Sequence, residues 1–144
     1  MEDKIILLIE DDPDDIELIV RTLQQSHIRN KIIVLRDGVE AIDYFFGGTN
    51  ATPIMPQIIL LDLNLPRVSG LDLLRRLRSE EKTKHLPIIV LSASDNSPDV
   101  KASYELGANS YIRKPVDFAQ FTLAVQKLGL YWLLLNHQPR SPRS

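Results

Sequence analysis

The chain has 144 residues, 44% hydrophobic and 25% charged, which fits one globular domain with one core. A formal net charge of -2 excludes any general attraction to nucleic acid or anionic membrane, and the absence of cysteine excludes disulfides, thiolate catalysis and Cys-ligated metal centres. No apolar run reaches membrane-spanning length, and the opening Met1-Glu2-Asp3-Lys4 lacks the basic lead of a signal peptide, so a soluble, cytoplasmic protein is expected.

Ile5 to Ile9 is apolar at every position, as suits a strand buried on both faces of a parallel sheet, and it ends at Glu10-Asp11-Asp12-Pro13. Pro13 suits the first position of a helix running to Gln25, with Ile16, Ile19, Val20 and Leu23 at helical spacing. Asp12 reads as the cap of that helix, and Asp14 and Asp15 as solvated acids of its first turn. Ile32 to Leu35 is a second strand. Asp37-Gly38 then opens a helix through Phe46 that Gly47-Gly48 stops. The stretch Gly48 to Pro56, rich in Gly, Thr, Asn and Pro, reads as an exposed insertion.

Ile58 to Leu61 is a third strand, ending at Asp62. Gly70 to Arg78 is a helix with Leu71, Leu74 and Leu77 on one stripe. Ile88 to Leu91 is a fourth strand, ending at Ser92. Ser97-Pro98-Asp99 starts a helix that runs to Gly107. Tyr111-Ile112 is a weaker fifth strand leading into Arg113-Lys114-Pro115. Asp117 caps a last helix with Phe121, Val125 and Leu128 facing inward. The apolar run from Leu130 to Leu135 follows, and residues 137–144 form a polar Pro/Ser/Arg tail expected to be disordered, which leaves residues 1–136 as one domain. Five strands alternating with five helices predict an α/β domain, with a mainly parallel sheet and helices on both faces.

In such a sheet, ligands bind beyond the carboxyl ends of the strands. Those ends carry Glu10, Asp11 and Asp12, then Asp62, then Ser92, then Lys114. Clustered carboxylates repel one another, and a hard divalent cation such as Mg²⁺ relieves the repulsion. Asp11 and Asp62 can be direct ligands, and Glu10 can hold a metal-bound water. Lys114 adds a second positive charge. A carboxylate is a competent phosphoryl acceptor, and neutralising the charge of a transferring phosphoryl group is mainly positioning and electrostatics.

The sequence resembles a receiver domain of two-component response regulators over about Lys4 to Leu128. The resemblance rests on Leu8-Ile9-Glu10-Asp11-Asp12-Pro13, on Leu60-Leu61-Asp62-Leu63-Asn64-Leu65-Pro66 followed by Gly70, on Pro87-Ile88-Ile89-Val90-Leu91-Ser92-Ala93, and on Gly107-Ala108 leading to Tyr111 and Lys114-Pro115. It implies a flavodoxin-like, doubly wound five-stranded sheet in the order 2-1-3-4-5, flanked by five helices. It implies Asp62 as phosphoacceptor, Glu10, Asp11, Asp62 and the backbone carbonyl of Asn64 as the Mg²⁺ site, and Lys114 and Ala93 as phosphoryl-binding. Ser92 resembles the switch hydroxyl and Tyr111 the aromatic that follows it, while Asn64 and Ser94 occupy positions that tune phosphoryl lifetime. The Lys114-Pro115 bond is expected to be cis. Glu10 stands where many receivers have Asp, and Ser92 where Thr is also common.

The opening Glu-Asp-Asp-Pro, the Asp37-Gly38 turn with Ala41 and Phe45, the loop before the third strand, Leu63-Asn64-Leu65-Pro66-Arg67 and the aromatic extension near Trp132 resemble, more narrowly, the stand-alone Rcp-type regulators of cyanobacterial phytochromes. That implies a single-domain regulator phosphorylated by a sensor histidine kinase, a light-sensing one in that group. It also implies a homodimer, for which the fourth helix, fifth strand and fifth helix, the family's usual output face, are the expected surface. The apolar run Leu130 to Leu135 either covers the domain's own core or, as the preferred reading, helps form that dimer, since an exposed patch of this size would otherwise be a liability. The expected chemistry is self-phosphorylation and slow self-dephosphorylation, not enzymatic turnover of a substrate.

Two other readings compete. A haloacid-dehalogenase phosphatase needs a general acid two residues after the nucleophile, where Asn64 stands. A pseudo-receiver, a binding module that is never phosphorylated, usually lacks one of the acids or the lysine, all of which are present here.

Overall fold

The computed structural model describes residues 5–25, 30–47, 54–93 and 97–128. Residues 48–53 of the insertion, Ser94, the 130–135 extension and the 137–144 tail lie outside the described residues. The elements alternate as β1 (Ile5–Ile9), α1 (Pro13–Gln25), β2 (Lys31–Leu35), α2 (Gly38–Phe46), β3 (Ile58–Asp62), α3 (Gly70–Ser79), β4 (Ile88–Ser92), α4 (Ser97–Glu105), β5 (Ser110–Arg113) and α5 (Phe118–Lys127). All pairings are parallel and the strand order is β2-β1-β3-β4-β5, as the resemblance implied.

The three central strands are buried at every residue because each face is covered. Side chains alternate between faces along a strand. Ile6, Leu8, Ile58, Leu60, Ile89 and Leu91 meet Ile19 and Leu23 of α1 and Phe121 and Val125 of α5. Leu7, Ile9, Ile59, Leu61, Ile88 and Val90 meet Ala41 and Phe45 of α2 and Leu73, Leu74 and Leu77 of α3. Burying one such side chain in full is worth about 1.5–3 kcal/mol, so a register slip that drew Glu10 or Asp62 into either layer would be strongly disfavoured.

Some local expectations shift. Ile32 to Leu35 are only half-buried, because β2 is an edge strand with one neighbour. In α3, Leu73 is buried with Leu74 and Leu77, and Leu71 packs half-buried against the same cluster. The helix α4 ends at Glu105, two residues before Gly107, whose φ of 104° turns the chain into β5. Among the described residues no helix is long and apolar enough to cross a membrane.

Candidate functional site

Strand register brings the chemistry to the carboxyl end of the sheet. Ile9 pairs with Leu61, so the next residues, Glu10 and Asp62, leave adjacent strands at the same level. Asp62 pairs with Leu91, which puts Ser92 one step beyond it on β4. Ser92 in turn pairs with Arg113, and the Lys114 N–H donates to the Ser92 carbonyl at 2.8 Å. The Glu10 N–H donates to the Leu35 carbonyl at 2.9 Å and continues the β1–β2 ladder to its last residue.

At this end the carboxylates of Glu10, Asp11 and Asp62 each offer an oxygen within 4.8 Å of the others. Glu10 and Asp62 are buried, whereas Asp11 is exposed. The Lys114 ammonium reaches into the group: its Nζ lies 2.7 Å from Glu10 Oε1, 3.0 Å from Asp15 Oδ2 and 3.2 Å from Asp62 Oδ1. The backbone N–H of Asn64 donates to Asp62 Oδ1 at 3.3 Å, and that of Asp12 to Glu10 Oε2 at 3.2 Å. Gly70 lies beneath this loop against the backbone of Asp62 and Leu63, with no room for a Cβ, and its N–H donates to the Leu63 carbonyl at 3.0 Å. The Lys114–Pro115 bond is cis, which matches the expectation.

The electrostatics follow from burial. Removal from water, reinforced by the charge of Asp62, pushes the Glu10 carboxyl up to about 7, although the Lys114 ammonium and the Asp12 N–H oppose the shift. Burial works to lower Lys114, but its bonds to Glu10 and Asp15 and the charge of Asp62 outweigh it and hold the ammonium above its ordinary range. Glu10 Oε1 is buried and ion-paired with Lys114 at 2.7 Å, which engages one of its lone pairs and leaves the other for a further ligand. A buried oxygen with spare capacity beside two further carboxylates fits a hard, oxygen-seeking divalent cation.

The residues singled out in the sequence that are described fall into place around this end of the sheet, Ser94 lying outside the described residues. Glu10, Asp11, Asp62 and Lys114 come together as expected. Asn64 is exposed at the rim, Ser92 is buried at the end of β4, and Ala93 is exposed just beyond it. Tyr111 stands apart from the carboxylates, half-buried on β5 in register with Val90, where it lines a groove of about 190 Å³ with Tyr104, Gln120 and Leu123. Asp12 caps α1, its Oδ1 accepting from the Asp14 N–H at 2.9 Å.

Asp15 corrects the sequence reading. It is not a solvated first-turn acid but a third anionic partner of Lys114, its side chain 32% exposed. Asp15 lies four residues before the buried Ile19, so it shares the inward face of α1, and that spacing was the signal available in the sequence.

Residues 6–126 match the response regulator receiver domain family. The curated protein "Response regulator Rcp1" of Synechocystis sp. is 37% identical over 131 residues, which cover 90% of this chain and 89% of Rcp1. The structure of the Mn²⁺-bound form of Rcp1 superposes with a TM-score of 0.75 at 36% identity, covering 94% of this chain and 99% of that one. The bacteriophytochrome response regulator RtBRR gives 0.82 at 42% identity, with 96% and 86% coverage. The phosphorylated cyanobacterial phytochrome response regulator RcpA gives 0.74 at 37% identity, with 92% and 95% coverage. These neighbours agree with the narrower, Rcp-type resemblance.

Proposed function

The chain belongs to the response regulator receiver domain family, and on that premise we propose that it accepts a phosphoryl group from a histidine kinase onto Asp62 in a Mg²⁺-dependent reaction. The observation that carries this reading is the buried Asp62 carboxylate, held 3.2 Å from Lys114 with two further carboxylates in metal-ligand reach. An Asp62 oxygen attacks the phosphorus of a phosphohistidine. The P–N bond breaks, its electron pair stays on the imidazole nitrogen, and an acyl phosphate forms on Asp62. The Asn64 N–H orients the Asp62 carboxylate, and Lys114 balances charge on the phosphoryl oxygens. Glu10, Asp11, Asp62 and the Asn64 carbonyl would hold Mg²⁺, which when bound neutralises charge on the transferring group.

Ser92 and Ala93 bind the phosphoryl group once it arrives, and Tyr111 passes the change to the surface as a population shift. The output surface is the α4–β5–α5 face. It carries a homodimer contact through the exposed Tyr104 and Leu123; residues 130–135, which the sequence also assigns to the dimer, lie outside the described residues. The similarity to phytochrome regulators supports a light-sensing kinase as the phosphoryl source.

The test is intact-protein mass after incubation with acetyl phosphate, with and without Mg²⁺, on this protein and on Asp62→Asn. A Mg²⁺-dependent phosphoryl adduct on the native chain and none on the variant is expected. No adduct on the native chain under any condition would exclude the reading.

A further inference from the structure

Lys114 has more anionic partners than phosphoryl transfer requires. Glu10 and Asp62 come from strand ends that also form the metal-ligand group, but Asp15 comes from the first turn of α1, and its carboxylate is not within that group. The contact is specific: Asp15 Oδ2 accepts a hydrogen bond from Lys114 Nζ at 3.0 Å across 99 positions of sequence. Lys114 is 12% exposed at its side chain, so its charge is largely confined to these partners. The neighbouring Asp14 carries the same charge in the same turn but is exposed, and its backbone N–H donates to the Asp12 cap.

We propose that Asp15 is a positioning residue that draws the Lys114 ammonium toward α1 in the unphosphorylated state, and so competes with an incoming phosphoryl group for that cation. The inference rests on the receiver reading of the site and deepens it. Two consequences follow, with opposite signs. While Asp15 holds part of Lys114, the ammonium leans less on Glu10 and Asp62, and their oxygens remain open to a divalent cation. When an anion arrives beside Asp62, Lys114 must give up Asp15 to reach it, and the lost contact raises the energy of the anion-bound state. Asp15 therefore favours metal binding and opposes phosphoryl binding. A carboxylate whose only role was to stabilise α1 would favour both.

The experiment is isothermal titration calorimetry of the full chain with Mg²⁺ alone, and then with beryllofluoride at saturating Mg²⁺, as a non-transferable stand-in for the phosphoryl group. Asp15→Asn and Asp14→Asn are compared with the native chain. Both variants remove one unit of negative charge from the first turn of α1, and only the first removes the bond to Lys114. Asp15→Asn is expected to bind beryllofluoride about fivefold more tightly and Mg²⁺ more weakly, the size of a single partly exposed ion pair. Asp14→Asn is expected to change each by a smaller factor. If Asp15→Asn weakens both ligands, Asp15 supports the site structurally and the proposal is wrong. If it matches Asp14→Asn, only the general field matters and the proposal is equally wrong. Failure of the native chain to bind beryllofluoride would instead remove the receiver reading on which the proposal stands.

Discussion

At the scale of single residues, Glu10 holds the sharpest conflict. Its carboxyl is buried beside Asp62, and its pKa in the fold is about 7 against an ordinary 4.5. Below pH 4.5 it is protonated in both folded and unfolded chains. Between 4.5 and 7 the folded chain binds more protons than the unfolded one, so stability falls as pH rises, by about 3 kcal/mol. Urea unfolding in EDTA across that window is expected to show the fall in the native chain and to lose it in Glu10→Gln. A stability difference between the two chains that does not vary with pH would contradict the burial argument. Asp15 shows where residue-level reading fell short. First-turn acids are ordinarily solvated and favour the helix dipole; the spacing to Ile19 marks Asp15 as facing inward, but nothing local names its partner, Lys114, far along the chain.

At the scale of elements, a single side chain ties several segments together at the end of the sheet opposite the site. Arg78, in the last turn of α3, donates from Nε to the Gly107 carbonyl at 2.8 Å and from Nη1 to the Lys84 and Leu86 carbonyls at 3.0 and 2.7 Å. Its Nη2 donates to Asn109 Oδ1 at 2.8 Å, and that oxygen also accepts from the Ile88 N–H at 2.8 Å. The guanidinium thus ties α3 to the loops that enter β4 and β5. Arg78→Ala is expected to cost roughly 2–3 kcal/mol in urea unfolding, because carbonyls are left without their charged donor. Arg78→Lys should recover little, since one ammonium cannot span the fork. Full recovery by lysine would show that charge rather than geometry matters there. The apolar pattern could not expose this clamp, because a polar residue late in a helix reads as solvated. The same pattern did give α3, whose stripe is strong, but overran α4. Among its described residues α4 buries Ser103 and no apolar side chain, so hydrophobic spacing carries little information about its end.

At the scale of the whole molecule, the proposed output face remains open on one side. Leu123 on α5 is 52% exposed and Tyr104 on α4 is 48% exposed, on the two flanks of the groove that Tyr111 lines. Large apolar side chains placed together in water mark a contact surface. If the proposed dimer uses this face, the full chain should sediment as a dimer and Leu123→Asp should shift it toward monomer. A monomer at high concentration, with and without beryllofluoride and Mg²⁺, would rule the dimer out.

The sequence alone determined the α/β alternation, the parallel sheet and the four strand ends that bear the acids, the hydroxyl and the lysine. These follow from local rules: strands covered on both faces must be apolar throughout, and polar residues must stand where the chain leaves the core. The strand order came from the resemblance, and the sheet pairing bears it out. Only the tertiary structure decided how Lys114 divides its charge among Glu10, Asp15 and Asp62, how far burial shifts Glu10, and that Arg78 ties α3 to the loops at the amino end of the sheet. Those depend on distances of a few ångströms between residues remote in sequence, and such distances exist only once the register and the helix packing have set them.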